Sequence, residues 1–353
     1  MLFHTFAENL ARIEALSSRL DMTEQLATLY KTLENQEIPE ACYLMRGSLV
    51  PEYQSLEFQL STKMVIKALA QLSQETDASN AQSLFAEFAE GEASEDQIEQ
   101  VTRLYKVLGD IGELAQQIVD QSSLEKPEAN TPVVTLLEVY GRLKAIALEE
   151  GQGSQQRKLD GLVALFQEVS PVSARFIARI VIGKLRLGFS TMTMLDALSW
   201  TVNGDKTDSA ALEVAFNKQA DIGKLAQEYL QLLESSSDVS SKEKILQAVE
   251  VTLGIPVMPA LCQRLNTSQE IIDKMTEVFV EPKYDGLRIQ IHLDRKNRKV
   301  TAFTRNLEDI SHMFPELETA FEAFSADQII VDGEAIGYDP ETDSLRSFQE
   351  TIT

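Results

Sequence analysis

Lys283, Asp285, Gly286 and Arg288 fall in one short run, Val278-Phe279-Val280-Glu281-Pro282-Lys283-Tyr284-Asp285-Gly286-Leu287-Arg288-Ile289-Gln290-Ile291-His292. A lysine at the end of an apolar strand, just before an Asp-Gly turn, is placed to act as a covalent nucleophile. The next strand brings Arg288 back to the same place. Such a set suits attack on a phosphoanhydride. The amine attacks, the guanidinium holds phosphate, and glycine lets a substrate approach the backbone. The chemistry demands an unprotonated amine, and a model lysine titrates near ~10.4, so nearby cations or burial must lower it. Taken alone, Asp-Gly between two β-rich runs is equally an ordinary hairpin turn with a solvated lysine beside it.

Two later segments add groups of the right kind. Phe303-Thr304-Arg305-Asn306-Leu307-Glu308-Asp309 reads as a strand ending in an arginine. Ile329-Ile330-Val331-Asp332-Gly333-Glu334-Ala335-Ile336 reads as an apolar strand with a buried-looking carboxylate at Glu334. A carboxylate between apolar strand residues needs a partner if buried, which favours a site role over core packing.

The elements that must position these groups are legible in outline. A chain of 353 residues is expected to form two domains. Residues 1–233 read as one helix after another, with apolar residues at three- and four-residue spacing in 6–33, 62–72, 96–119, 132–148, 157–169 and 173–187. Stops fall at Gly47, the acidic loop around Gly91, Pro127, Gly151-Gln152-Gly153 and Gly188. Ser190 is expected to cap a helix running to Trp200, and Asp208 or Ser209 the next, running to Leu233. Gly109-Asp110-Ile111-Gly112-Glu113-Leu114-Ala115-Gln116 recurs as Ala220-Asp221-Ile222-Gly223-Lys224-Leu225-Ala226-Gln227, which points to a helical domain built as two related halves. Residues 234–244 are a Ser-rich linker. Residues 245–353 change pattern, with strands expected at 278–281, 287–293, 299–304 and 328–332 and a helix at 313–324. The expected class is an all-α N-terminal domain followed by a partial α/β or α+β domain.

Composition narrows the function. Hydrophobic content of 44% and charged content of 25% are those of a globular protein. The start of the chain has no basic region and no cleavage site, and no apolar run is long enough to span a bilayer. Cys42 and Cys262, the two cysteines, make neither a disulfide framework nor a metal cluster, which fits a reducing cytoplasm. A net charge of −23 excludes a uniformly basic nucleic-acid binder but not local phosphate contacts. Acidic residues gather at Glu87, Glu90, Glu92, Glu95, Asp96 and Glu99, a solvated loop and helix start. Arg157, Lys158, Arg175, Arg179, Lys184 and Arg186 form a locally basic stretch. Trp200 and the pair Met192 and Met194 are expected in the core.

In order and spacing, the three strand segments resemble motifs I, Ia and III of the covalent nucleotidyltransferases. More narrowly, the chain resembles the ATP-dependent DNA ligases of the archaeal and eukaryotic replicative type. Met45-Arg46-Gly47 with Tyr53, Gly109-Asp110-Ile111-Gly112, Gly151-Gln152-Gly153-Ser154-Gln155 and Ile182-Gly183-Lys184-Leu185-Arg186-Leu187-Gly188 look like parts of that family's N-terminal DNA-binding domain. The resemblance implies a DNA-binding domain at 1–233, the linker at 234–244, and the first portion of an adenylation domain at 245–353. It makes Lys283 the adenylated lysine, Glu281 the adenine-side contact, Arg288 and Arg305 the ribose and phosphate contacts, and Glu334 a nucleotide-side and metal-recruiting carboxylate. Asp285 either orients Lys283, reaches the metal or simply forms the turn. ATP is the nucleotide, and Mg²⁺ is expected because phosphoryl transfer needs charge neutralised on the triphosphate. Arg46, Lys184 and Arg186 are the DNA candidates, with Gly183 and Gly188 letting backbone amides approach phosphates. The implied partner is nicked double-stranded DNA, held largely without regard to sequence. A sliding clamp is a further candidate partner, and a monomer in the cytoplasm, associated with the nucleoid, is expected.

Ser347-Phe348-Gln349-Glu350 resembles a segment just after motif III, and the family's later parts have no counterpart before Thr353. The expectation is therefore a chain that binds DNA, seals no nicks and self-adenylates poorly. An RNA ligase or capping-type guanylyltransferase would use the same lysine chemistry, but the long helical domain argues against both. A non-catalytic DNA-binding protein with a vestigial nucleotide domain is the reading from another class.

Overall fold

The computed structural model describes residues 1–80, 94–123, 133–235, 246, 249–260 and 262–351. Glu87, Glu90, Gly91, Glu92 and Pro127 lie outside them, as does nearly all of the Ser-rich segment. The chain divides into two compact units. The first is Met1–Pro51, Leu56–Glu213 and Ile222–Gln247; the second is Glu52–Ser55, Val214–Asp221 and Ala248–Thr353.

The helices of the first part of the chain are α1 (Phe3–Glu14), α2 (Arg19–Tyr30), α3 (Ile38–Met45), α4 (Thr62–Asn80), α5 (Glu95–Leu108), α6 (Ile111–Ser123), α7 (Leu136–Leu148), α8 (Ser154–Gln167), α9 (Pro171–Val181), α10 (Thr191–Asn203), α11 (Ser209–Lys218) and α12 (Ile222–Ser235). The expected all-α character holds. Several long periodic runs split where local chemistry competes with the helix. Ser18 takes an extended backbone and its hydroxyl accepts the Asp21 amide, so the run at 6–33 becomes α1 and α2. Gly109 ends α5 at φ 68, dividing 96–119. Capping boxes at Ser94 with Gln97 and Thr135 with Glu138 begin α5 and α7, each worth about 1 kcal/mol. Ser190 stands at the start of α10 without a side-chain cap bond.

Apolar stripes meet in pairs: α6 packs on α9, α2 on α10, α3 on α12 and α4 on α8. Phe6, Leu10 and Ile13 of α1, which packs on α9 and α2, are fully buried with Leu26, Leu29, Phe176, Ile177, Leu195 and Leu198. Each such side chain contributes about 1.5–3 kcal/mol of transfer energy. Met194 joins this core, whereas Met192 lies on the surface. The repeated octapeptide begins two of the paired helices, α6 and α12. A Cβ on Gly112 would lie 2.7 Å from the Arg175 carbonyl oxygen, and one on Gly223 2.6 Å from the Tyr43 ring. Both copies thus start a helix whose first turn touches a neighbour too closely for any side chain.

Two members of the basic stretch are interior. Lys158 is 3% exposed and donates to the carbonyls of Phe58 at 3.0 Å and Ala147 at 3.4 Å. Arg179 is 1% exposed and donates to Asp110 at 3.0 Å and Glu14 at 2.9 Å. Charge count along the sequence cannot distinguish a cation facing solvent from one that bonds internal oxygens.

The second unit is α+β. Its sheet runs β2-β1-β3, all antiparallel, from β1 (Leu287–Asp294), β2 (Lys299–Thr304) and β3 (Gln328–Ala335). β4 (Tyr338–Asp339) pairs with β5 (Ser344–Leu345). The strand expected at 278–281 is absent. β1 already pairs on one edge with β2 and on the other with β3, so it has no edge left for a preceding hairpin arm. Phe279 and Val280 are each 91% exposed. The helix expected at 313–324 is a set of short turns ending in Ala320–Ala323, because Pro315 cannot donate to a preceding turn.

β1 alternates. Ile289 packs on Ala302 and Ile310, with Leu287, Ile291, Phe314 and Leu317 around them. Arg288, Gln290 and His292 take the opposite parity. Gln290 donates to the Val257 carbonyl at 3.1 Å and accepts the Val257 amide at 2.8 Å. The Gly254 amide can only donate, so it fixes Nδ1 of His292 as acceptor at 2.9 Å and leaves the proton on Nε2, toward Gln290 Oε1. His292 is 2% exposed, and its ring meets Phe303 edge-on.

Burial lowers the His292 pKa from 6.5 to about 4. The unfolded chain therefore binds this proton at higher pH than the folded one. The stability held by neutral His292 is complete above about 6.5 and is lost as pH falls toward about 4. The expected loss is on the order of 3 kcal/mol. Denaturant unfolding across that pH range should show it, and His292→Leu should flatten it.

Candidate active site and nucleic-acid interface

The sheet positions four of the five nucleotide-site candidates around one cavity. β1 carries Arg288 opposite Glu334 of β3. Lys283 comes from the irregular segment before β1, and Arg305 from the turn after β2. Lys283, Arg288, Arg305 and Glu334 line a cavity of about 470 Å³, together with Thr304, Asn306 and Glu308. Glu281 is exposed and lies outside this lining.

Each wall has a local cause. Gly286 sits against β3: a Cβ there would collide with the Ala335 carbonyl oxygen and come within 2.8 Å of the Glu334 side chain. Only a hydrogen fits, so the segment carrying Lys283 lies flush on β3. The Arg305 turn is held by Thr304, whose hydroxyl accepts the amides of Asn306 and Glu308 at 3.2 Å. Leu307, 2% exposed, anchors it in a left-handed conformation with φ 70. The Asp285 carboxylate accepts the Phe348 amide at 3.4 Å, joining the turn to the Ser347-Phe348-Gln349-Glu350 segment.

Among the described residues the Lys283 and Arg305 side chains have no hydrogen-bond or ion-pair partner. Arg288 has one: Asp332 receives Nε at 3.0 Å and also an NH₂ group, a two-point pair. That hydrogen bond raises the Arg288 pKa further, outweighing the opposing effect of burial. Asp332 escaped the sequence reading, because a strand residue two positions from Glu334 carries no signal of its own until the β1–β3 register is known. Glu334 is exposed rather than buried, since β3 is an edge strand flanked there by β1 alone. The cavity thus holds one accessible amine, two guanidiniums and the carboxylates of Glu308 and Glu334. That set suits a polyphosphate, whose oxygens the cations meet. Mg²⁺ commonly binds through one or two carboxylates plus substrate phosphates, and this donor set fits that mode. Among the described residues no three His, Cys, Asp or Glu side chains gather as a metal-ligand group.

In the helical unit, the structure brings two of the DNA-candidate segments together. α3 ends at Gly47 with φ 73, its amide donating to Leu44 and the Ser48 amide to Tyr43. α9 ends in the same way at Gly183 with φ 67, its amide donating to Ile180 and the Lys184 amide to Arg179. Such terminations require a left-handed residue, which favours glycine. The two ends abut: the Cβ position of Gly47 is 3.8 Å from Leu185 Cβ and 3.9 Å from the Gly183 carbonyl carbon. Arg46 and Lys184 are both exposed beside this junction. Lys184 has no side-chain partner among the described residues. Arg186 does: its NH1 lies 3.1 Å from Asp110 Oδ2. Burial alone would raise the Asp110 pKa, but the Glu113 amide and the Arg179 and Arg186 guanidiniums outweigh it and hold it low. Arg157 is committed elsewhere, bridging Glu149 and the carbonyls of Gln152 and Glu150 around the Gly151 turn.

No helix among the described residues is long and apolar enough to cross a membrane. Residues 2–199 match the family described as DNA ligase N terminus, and residues 259–353 match the ATP dependent DNA ligase domain. The chain is 34% identical over 353 residues to a probable DNA ligase of Dictyoglomus turgidum, covering 100% of this chain and 54% of that protein. It is 34% identical over 356 residues to DNA ligase 2 of Thermofilum pendens, covering 99% of this chain and 54% of that protein. With a DNA ligase of Staphylothermus marinus the identity is 34% over 364 residues, 100% of this chain and 56% of the relative. The chain spans about half the length of the curated relatives it matches. Both units match in the order the motifs had indicated, and the chain belongs to the ATP-dependent DNA ligase family.

Proposed function

We propose that this chain carries the DNA-gripping part and the AMP-accepting lysine of an ATP-dependent DNA ligase. The Nζ of Lys283 attacks the α-phosphorus of ATP. A P–N bond forms as the bond to the β-phosphate oxygen breaks, pyrophosphate leaves, and the amine proton passes to solvent. AMP then moves from the lysine to the 5′-phosphate at a nick, and the 3′-hydroxyl displaces it to close the strand. The observation that carries this reading is the single cavity shared by Lys283, Arg288, Arg305 and Glu334. Arg288, braced by Asp332, and Arg305 hold phosphate and ribose. Glu334, with Glu308 beside it, would hold Mg²⁺, which neutralises triphosphate charge when bound. Glu281 serves the adenine side by its motif position alone.

The test is incubation with α-labelled ATP or GTP and Mg²⁺, then a denaturing gel, with a parallel nicked-duplex gel shift. Label from ATP supports the ligase reading. Label from GTP alone indicates capping-type chemistry. Nick binding without label from either nucleotide favours a non-catalytic DNA-binding protein.

For DNA, the reading rests on the junction of the α3 and α9 ends, which exposes Arg46 and Lys184 on an otherwise acidic chain. The contacts expected are with sugar and phosphate, and so are indifferent to sequence. Lys184→Ala should weaken nicked-duplex binding and lower the slope of log affinity against log salt by about 1. An unchanged slope in a salt titration removes Lys184 from the interface.

A further inference from the structure

Arg186 adopts φ 60, a left-handed conformation that costs energy for any residue with a Cβ. It lies in an alternating segment: Leu185 and Leu187 are buried, while Lys184 and Arg186 point to solvent. Gly183 and Gly188 have positive φ, 67 and 74, at no steric cost. Arg186 has no such freedom, and a tertiary contact can offset the cost. That contact is Asp110 Oδ2, at 3.1 Å.

Asp110 is built as a fixed post. It is 4% exposed. Its Oδ1 accepts the Glu113 amide at 2.9 Å, at the first turn of α6, and Arg179 Nε at 3.0 Å. Arg179 is in turn tied to Glu14, which also receives Arg175 at 3.0 Å. The carboxylate is thus held by two helices, α6 directly and α9 through an arginine that α1 braces, and its other oxygen meets the loop after α9.

We propose that Asp110 is a positioning residue for the 183–188 loop: by gripping Arg186 it sets the left-handed turn that presents Lys184 and the neighbouring backbone to DNA. The inference rests on the DNA-binding reading of this loop. It changes the part assigned to Arg186, which acts as the loop's tether to Asp110 and not as a free phosphate ligand. Asp110 never touches DNA. Its effect passes through Arg186.

The experiment combines Asp110→Asn, Arg186→Gln and the double variant, with Lys184→Ala as the control for DNA contact. Amide hydrogen exchange of the free protein reads the loop, and a nicked-duplex titration over several salt concentrations reads binding. Asparagine keeps the acceptor for the Glu113 amide and removes the charge that holds Arg186. Each single variant should speed exchange at 184–188 by about threefold to tenfold, with α10 unaffected, and weaken nick binding by a similar factor. The double variant should be no looser in the loop than Arg186→Gln alone, because both changes break one contact. Arg186→Gln leaves the buried Asp110–Arg179 pair intact, so it remains informative if Asp110→Asn fails to fold.

Unchanged loop exchange in Arg186→Gln overturns the proposal. So do additive effects in the double variant, which would mean that Asp110 acts through Arg179 and not through Arg186. Tighter binding by Asp110→Asn also overturns it, since Asp110 would then only mask a phosphate ligand. If loop exchange responds while nick binding stays constant, Lys184→Ala separates the causes. Weakened binding in that control means the clamp does not serve DNA binding. Unchanged binding in that control means the loop is not a DNA contact, which removes the underlying reading as well.

Discussion

Lys283→Ala should abolish covalent labelling from α-labelled ATP while leaving nicked-DNA binding within about twofold of the parent. This is the largest effect expected of any single substitution in the chain. The P–N bond needs an amine lone pair at one place, and among the residues lining the cavity Lys283 supplies the sole amine. Arg288 and Arg305 cannot replace it, since a guanidinium stays protonated in proteins. Lys283→Arg should fail equally, which separates loss of the nucleophile from loss of positive charge. The chemistry of the label gives an independent check. A phosphoramidate is cleaved by mild acid and survives alkali, whereas an acyl phosphate on Glu334 or Glu308 would be lost in alkali. Label that persists in Lys283→Ala, or that alkali removes, would end the assignment. DNA binding should persist because its candidates, Arg46 and Lys184, lie in the other compact unit.

Gly286→Ala is expected to be nearly as damaging, through packing. The added methyl would be driven into the Ala335 backbone oxygen and within 2.8 Å of Glu334 Cγ and Ile336 Cγ1. Side chains can rotate away, but a carbonyl within the β1–β3 ladder cannot move without parting the strands. Leu287 pairs with Ala335 and Arg288 with Glu334 in that ladder, so relief of the clash separates the two charged walls of the cavity. Over-packing of this kind costs about 1–3 kcal/mol. Labelling should fall at least tenfold, while the helical circular dichroism signal, which comes almost wholly from the first unit, stays the same. Parent-level labelling by Gly286→Ala would show that the close contact does not shape the site.

The helical stripes, the strands at β1 and β2 and the motif residues were all legible because each depends on periods of two to four residues. Lys283, Arg288, Arg305 and Glu334 could be named from their strand contexts, and they come to line one cavity. Other features were hidden for identifiable reasons. The 278–281 run has every local property of a strand, yet a strand exists only where a partner edge is free, and β1 has none to offer. Lys158 and Arg179 counted only as members of a locally basic stretch, and their burial was hidden because their hydrogen-bond acceptors, at Phe58, Ala147, Glu14 and Asp110, are remote in sequence. Asp332 and Asp110 gain meaning only from the arginines they meet, 44 and 76 residues away.

Residue order alone therefore indicated the family and the change from helices to strands, and supplied the residues proposed here for nucleotide and DNA, since these follow from local patterns and motif spacing. Folding settled which cations are held: among the described residues Lys283, Arg305 and Lys184 remain unpaired, Arg288 is braced by Asp332, and Arg186 is tethered to Asp110. The physical reason is that a charge's role depends on what lies within a few ångströms of it, and those neighbours come from distant stretches of chain brought together by packing and strand register.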